Sequence, residues 1–424
     1  MKKLLTNARI LKMDGTPIFD GYVEITDNKI SYVGKEFSFN KGDYEEVIDC
    51  EGNLLMPGFK NAHTHSAMTF LRSAADDLQL HRWLTEVCFP AEAKLTPEDI
   101  YYLTKLCILE YLTSGITAFF DMYFFPKEII RAAKEYGMRA LIGLLRSSNN
   151  TDDDIRKMYH ENNEKEESLT RCVMNLHAEY TSTKEERAAL KVLIDELKSP
   201  LYAHIAETED EVKGCYERYG VSPTELLVSE GLFKYGGGGF HCIYMSDKDL
   251  QLFKDNHLAI VTNPGSNSKL ASGVCDVKKI KENGIELAIG TDGPASNNCL
   301  DMFKEMMLVT NLSKLKEKDA ASMPAEDVLY MATVGGSKAM MLDKAMYLEK
   351  GQLADIIMID LHRPNMQPIN NIVKNLVYAG SKDNIKMTMV DGKILYYNRK
   401  FYVGDDIEEL YKKCQQITDK LLEK

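Results

Sequence analysis

No CxxC pair occurs anywhere in this sequence, and its nine cysteines are scattered singly. An odd count without paired spacing does not read as a disulfide framework and points to a reducing, cytoplasmic setting. Long apolar runs are missing too, since nothing approaches the roughly 18 uninterrupted residues of a membrane helix. The opening Met1-Lys2-Lys3-Leu4-Leu5 begins like a secretory leader until Thr6, Asn7 and Arg9 interrupt it, so no export is expected. Positive charge is not in excess. With 52 Lys and Arg against 64 Asp and Glu the formal net charge is −12, which argues against nucleic acid or an anionic membrane as a partner. Neither GxGxxG nor GxxxxGK[ST] is present, so the phosphate-cradling nucleotide folds lack their main signal. Tryptophan occurs once and histidine nine times, which makes the position of each informative.

What is there is the composition of an ordinary folded protein: 424 residues, 44% hydrophobic and 27% charged. A chain of that length buries a large core. Residues 1–55 read as short alternating strands, with turns such as Asp14-Gly15. Residues 353–403 repeat the style, with Met387 to Val390 meeting Lys393 to Tyr397 across Asp391-Gly392, a strong hairpin signal. From Asp405 to Lys424, Ile407, Leu410, Tyr411, Cys414, Ile417 and Leu421 fall at helical spacing and predict an amphipathic helix. Between the ends, β-rich segments alternate with helical ones. Eight strand candidates, near 54–63, 115–123, 138–145, 171–178, 200–205, 238–243, 258–262 and 286–291, predict a (β/α)8 TIM barrel of the α/β class. The run Gly236 to Gly239 reads as a turn before its strand. The expected division is 1–55 and 353–424 as two parts of a small β-sandwich, the latter with the terminal helix, around a barrel over 56–352.

Histidines gather at the C-terminal strand ends, the catalytic rim of such a barrel. His63-Thr64-His65 ends the first strand, and its i, i+2 spacing puts both rings on one side of an extended backbone, where they can share a metal. His204 ends the fifth strand, His241 the sixth and Asp292 the eighth, while His177 closes the fourth. We read His63, His65, His204 and Asp292 as ligands of one divalent metal, zinc by donor type with iron as the alternative. The fourth strand, Arg171 to Tyr180, holds no lysine that could bridge a second ion, so the site is expected to be mononuclear. Glu207, three residues past His204, is placed to shuttle protons to and from the activated water. Glu209 and Glu211, in the same acidic run, read as surface glutamates opening a helix, where negative charge is favoured. His241 is open to three roles: a further ligand, a base behind the ligands, or a core histidine. Orientation of the attacking hydroxide is the reading adopted.

Several stretches carry a resemblance: Met56-Pro57-Gly58-Phe59-Lys60-Asn61-Ala62-His63-Thr64-His65, Asp77-Leu78 through Trp83-Leu84, His204-Ile205-Ala206-Glu207-Thr208, and Gly290-Thr291-Asp292-Gly293-Pro294-Ala295-Ser296-Asn297-Asn298. Together they resemble the metal-dependent amidohydrolase superfamily, and within it the methylthioadenosine/S-adenosylhomocysteine deaminases, close to the triazine chlorohydrolases. The likeness covers nearly the whole chain. It implies metal ligation by His63, His65, His204 and Asp292, proton transfer by Glu207, and water activation by His241 with Asp292. It further implies substrate contacts from Trp83, from Glu92 and His177 to the ribose, and from Ser296 in the Asp292 motif. Arginines of the third βα loop, here Arg146 in Leu144-Leu145-Arg146-Ser147-Ser148 and Arg156, align only approximately with those expected to hold a homocysteine carboxylate.

The expected reaction is hydrolytic deamination of an adenine nucleoside at C6: S-adenosylhomocysteine, 5′-methylthioadenosine, 5′-deoxyadenosine or adenosine, giving an inosine-type product and ammonia. The rivals are a deaminase or chlorohydrolase acting on guanine, cytosine, a pterin or a triazine, and a non-catalytic scaffold. A small-molecule nucleoside is the expected partner, and a homo-oligomer, dimer or tetramer, the expected assembly.

Overall fold

The computed structural model describes residues 2–74, 76–78, 82–147, 150–165 and 167–423; Ser148, His81 and Lys424, which fall in stretches singled out above, lie outside them. Eight parallel strands form one sheet in sequence order: Phe59–Thr64, Ile116–Asp121, Arg139–Leu144, Thr170–Leu176, Leu201–Ile205, Gly237–His241, Ala259–Thr262 and Leu287–Ile289. Helices connect them, as right-handed parallel crossovers require. The sheet closes on itself at its two ends without a regular ladder. Asp292 N–H donates to the His63 carbonyl at 3.0 Å, and the Asn61 amide bridges to Thr291, its Oδ1 accepting from Thr291 N–H and its Nδ2 donating to Thr291 Oγ1. Inside, Ala62, Phe120, Leu141, Val173, Tyr202, Phe240, Val261 and Ala288 fill the barrel below the site.

Two sequence readings change. The strand expected over 54–63 is two strands. Leu54–Pro57 pairs with Lys2–Ile10 and with Ile356–Ile359, whereas Phe59–Thr64 opens the barrel. The glycine run is not simply a turn, because Gly237 to Gly239 lie within the sixth strand. A Cβ on Gly237, at φ +125°, would collide with the Leu201 backbone of the fifth strand, so this register needs glycine.

Strands from both ends of the chain form one nine-stranded mixed sheet, running from Lys400–Phe401 through Ile356–Ile359 and Leu54–Pro57 to Lys29–Gly34, with Glu46–Asp49 alongside Lys2–Ile10. The segment that begins like a leader is its strand Lys2–Ile10. Alternation sorts the faces: Leu5, Ile10, Val23, Leu55, Ile356 and Met358 line a core of this layer, while Ile357 and Ile359 point to the main core. The terminal helix Ile407–Leu421 buries Leu410, Cys414, Ile417 and Leu421 against the helix Pro97–Thr113; Tyr411, expected on the same face, is exposed. Among the described residues no helix is long and apolar enough to cross a membrane.

Candidate active site

Strand ends deliver the four donors. His63, His65, His204 and Asp292 each bring one ligand atom to a common point, all within 4.8 Å of one another. His65 Nδ1 lies 2.5 Å from the Met122 carbonyl and His204 Nδ1 2.7 Å from the His177 carbonyl. A carbonyl only accepts, so both Nδ1 atoms carry the proton and both Nε2 lone pairs face the centre. There, Nε2 of His204 and of His63 approach to 3.2 Å, and Asp292 Oδ1 lies 3.3 Å from His63 Nε2 and 3.1 Å from His65 Nε2. Lone pairs of this kind repel unless a cation lies among them. Three imidazoles and a carboxylate suit a divalent metal with a position left open, so the residues present fit the ion.

The surroundings hold three of these donors, His63, His204 and Asp292, in the forms ligation needs. Burial pushes His63 down to about 3 and His204 well below the ordinary histidine value, so both rings are neutral. Burial would raise Asp292, but the His63 and His65 rings beside it outweigh burial and keep the carboxylate ionised. For His65, burial is likewise outweighed by Asp292, which lifts it to about 9; a divalent ion competes with that proton for Nε2. Asp292 Oδ2 accepts from Ser266 Oγ at 2.6 Å and Ser296 Oγ at 2.9 Å, which leaves Oδ1 aimed at the centre. Such outer partners orient ligands and tune them.

Glu207 and His241 stand over this group. His241 Nε2 is 3.9 Å from Glu207 Oε2 and 3.9 Å from Asp292 Oδ2, while its Nδ1 bonds Asn267 Oδ1 at 2.7 Å. With the proton on Nδ1, the Nε2 lone pair faces the site. Burial raises Glu207, against the pull of His241. The backbone turns unusually here: Ala206, His241, Cys242 and Asp292 all have positive φ, between +47° and +67°. Non-glycine residues pay conformational strain in that region, and such strain clusters where a fold must aim side chains.

The donors floor a cavity walled by Met68, Trp83, Leu84, Phe89, Phe124 and Leu145, with Glu92, Tyr123, His177 and Ser296 as polar lining. Trp83 is buried, on the helical turn Trp83–Cys88, and its Nε1–H has no partner among the described residues. Glu92 accepts from Tyr123 Oη at 2.6 Å, and burial lifts its carboxyl to about 7. His177 Nδ1 contacts Thr181 Oγ1, and burial lowers the ring to about 4. Ser296 spends its hydroxyl on Asp292, so it orients a donor as well as lining the cavity.

Arg146 does not line this cavity; it lies in a neighbouring one that shares Phe89, Phe124, Leu145 and His177, and its Nε bonds Asp152 at 2.6 Å. Arg156 lines neither, because the helix Asp152–Asn163 turns its guanidinium outward to Glu196 and Asp153. Sequence reading passed over Ser266 and Asn267, which follow the seventh strand on the turn Pro264–Lys269 and hold Asp292 and His241. The Asn263-Pro264-Gly265-Ser266-Asn267 cluster at that strand end was the available signal. Glu211, read as a surface glutamate, is only 6% exposed, because its carboxylate turns inward to backbone amides; Glu209 is exposed as expected.

The amidohydrolase family model matches residues 54–395. A 5-methylthioadenosine/S-adenosylhomocysteine deaminase of Caldanaerobacter subterraneus subsp. tengcongensis is 34% identical, covering 100% of this chain and 99% of the relative. A 5′-deoxyadenosine deaminase of Methanosarcina mazei is 37% identical over 98% of both. A solved adenosine deaminase from Xanthomonas campestris with bound zinc superposes with a TM-score of 0.91 at 29% identity, covering 100% of this chain and 99% of that one. Barrel, donor set and sequence agree, and the chain belongs to the amidohydrolase family.

Proposed function

We propose that the protein deaminates adenine nucleosides hydrolytically at C6, with His63, His65, His204 and Asp292 holding one zinc ion. The observation that carries this reading is the placement of Glu207 and His241 over the donor set, beneath a cavity that also offers a buried carboxylate, Glu92, and the indole N–H of Trp83, which has no partner among the described residues. The names borne by full-length relatives support the substrate class. Zinc would supply Lewis acidity, bringing the pKa of water from about 15.7 to about 7.

The residues do the rest. His241 Nε2 accepts a hydrogen bond from the attacking water and aims its oxygen at C6, because Asn267 keeps the ring proton on Nδ1. Glu207 takes a proton from that water and delivers it to ring N1. The oxygen adds to C6, Glu207 passes the remaining proton of the added hydroxyl to the amino group, the bond from C6 to the amino nitrogen breaks, and ammonia leaves with its own two hydrogens and that one, giving the 6-oxo product with N1 keeping the first proton. Glu92 accepts from the two vicinal ribose hydroxyls, charge-assisted bonds that select a sugar, and Trp83 and His177 complete the nucleoside pocket. The protein works in the cytoplasm as a homo-oligomer.

Glu92→Ala tests the substrate class. Adenine nucleosides should lose at least about tenfold in kcat/KM, from loss of a charged hydrogen bond worth roughly 1.5–3 kcal/mol, while any turnover of free adenine stays as it was. Equal losses on base and nucleoside would remove the ribose contact.

A further inference from the structure

Among the described residues, five helices begin with a reciprocal cap, in which a side chain accepts from the N–H of an acidic third helical residue. In the helices Pro97–Thr113, Asp152–Asn163, Lys184–Leu197, Pro223–Ser229 and Asp247–Asp255, the acidic residue at that third position reaches back to the N–H of the capping residue. The helix Glu209–Tyr219 breaks the pattern. Its cap Thr208 accepts from Glu211 N–H, but the Glu211 carboxylate passes over Thr208. Its Oε2 accepts from Glu207 N–H at 2.8 Å and its Oε1 from Ala206 N–H at 2.9 Å.

Those two amides belong to the turn that presents Glu207. Ala206 sits at φ +51°, a left-handed conformation that an alanine adopts only when its neighbours hold it there. The Ala206 carbonyl accepts from Ile243 and Tyr244 N–H, both at 3.0 Å, tying the turn to the segment after His241. Its amide side is held by Glu211 alone among the described residues. The carboxylate therefore fixes the peptide from which the Glu207 side chain departs, and it is itself only 6% exposed.

We propose that Glu211 is a positioning residue for proton transfer by Glu207, acting through the Ala206 and Glu207 amides; the proposal rests on the deaminase reading for the role of Glu207. Both the length and the two oxygens of Glu211 matter. Asp would keep the charge and fall short by one methylene, and Gln would keep the length but offer one acceptor and an opposing N–H.

The test compares wild type with Glu211→Asp, Glu211→Gln and Glu211→Ala as purified, metal-analysed enzymes, measuring kcat and KM for 5′-methylthioadenosine and hydrogen–deuterium exchange of the peptide bearing Ala206 and Glu207. Glu211→Asp and Glu211→Ala should lower kcat by about 30-fold or more, with KM within about threefold, metal content unchanged and exchange at the two amides accelerated. Glu211→Gln should fall between these and wild type, and it carries the test should the alanine variant not fold. Unchanged kcat, unchanged exchange, or a loss confined to KM overturns the proposal. Failure of the wild type itself to deaminate any nucleoside is failure of the deaminase reading instead; the exchange comparison then still decides whether Glu211 holds the turn.

Discussion

At the residue scale, the site separates charge placement from charge transfer. Asp292 is anchored through Oδ2 by Ser266 and Ser296, so it stays a fixed anion, whereas Glu207, with a 3.5 Å contact from Ser272 Oγ and His241 Nε2 at 3.9 Å, is placed to take and give a proton. Glu207→Gln should abolish turnover, by at least about 10²-fold, the lower range for general acid–base catalysis, while metal analysis still returns one ion per chain. Retained turnover would strip Glu207 of its role. Glu92 gives a pH-dependent prediction. Its carboxyl is raised from 4.5 to about 7 by burial, against the Tyr123 hydrogen bond and the His65 charge. A raised acid favours the folded state while protonated, so that stability is complete below about 4.5 and is lost as pH rises through about 7. Glu92→Gln should therefore raise the Tm relative to wild type at pH 8 and change it little at pH 4.5. Equal shifts at both values would place the Glu92 carboxyl in a solvated setting.

At the element scale, the barrel closes on its own ligands. Gly290 lies where the eighth strand meets the first, and a Cβ there would stand 2.8 Å from both the Cβ and the carbonyl oxygen of His63. Gly290→Ala must push these strands apart. Overpacking of this kind costs about 1–3 kcal/mol, and here it should also weaken metal retention, seen as a lower metal content after dialysis against a chelator. A stable variant with undiminished metal would separate closure from ligation. Legibility also divides at this scale. The four donors were readable because each ends a strand, and strand ends on one rim converge whatever the loops do. Glu211 was not, because its contact depends on a left-handed turn at Ala206, which an alanine does not announce. Asn267 reaches His241 from the next strand's loop, and Arg156 meets Glu196 forty positions along, so neither partner shows in local sequence. Arg156 was drawn toward the substrate by motif position, and helix phase turned it outward.

At the scale of the molecule, the barrel's N-terminal face is fastened to the mixed sheet by buried charge. Arg139, from the third strand, pairs with Asp355 at 2.6 and 3.1 Å and with Asp391 at 3.1 Å, and Lys60 nearby donates to the Gly58 carbonyl and Thr117 Oγ1, its own value pushed down by burial to about 8. Arg139→Ala would leave Asp355 buried and unpaired, which costs about 3–5 kcal/mol. Its denaturation midpoint should fall accordingly, with the metal ligands untouched at the opposite rim. The composite of two terminal segments around a barrel was visible in the sequence from strand style alone, but the single hydrogen-bonded path through Leu54–Pro57 was not, since one apolar run serves both sheets with Gly58 between them.

The most direct test is ammonia release by the purified, metal-quantified protein with 5′-methylthioadenosine, 5′-deoxyadenosine, S-adenosylhomocysteine and adenosine beside guanine and cytosine. One metal ion per chain is expected, with stoichiometric ammonia and a 6-oxo product from adenine nucleosides and the free bases untouched. Bound metal with no ammonia from any nucleoside, or turnover of free bases alone, would contradict the deaminase reading.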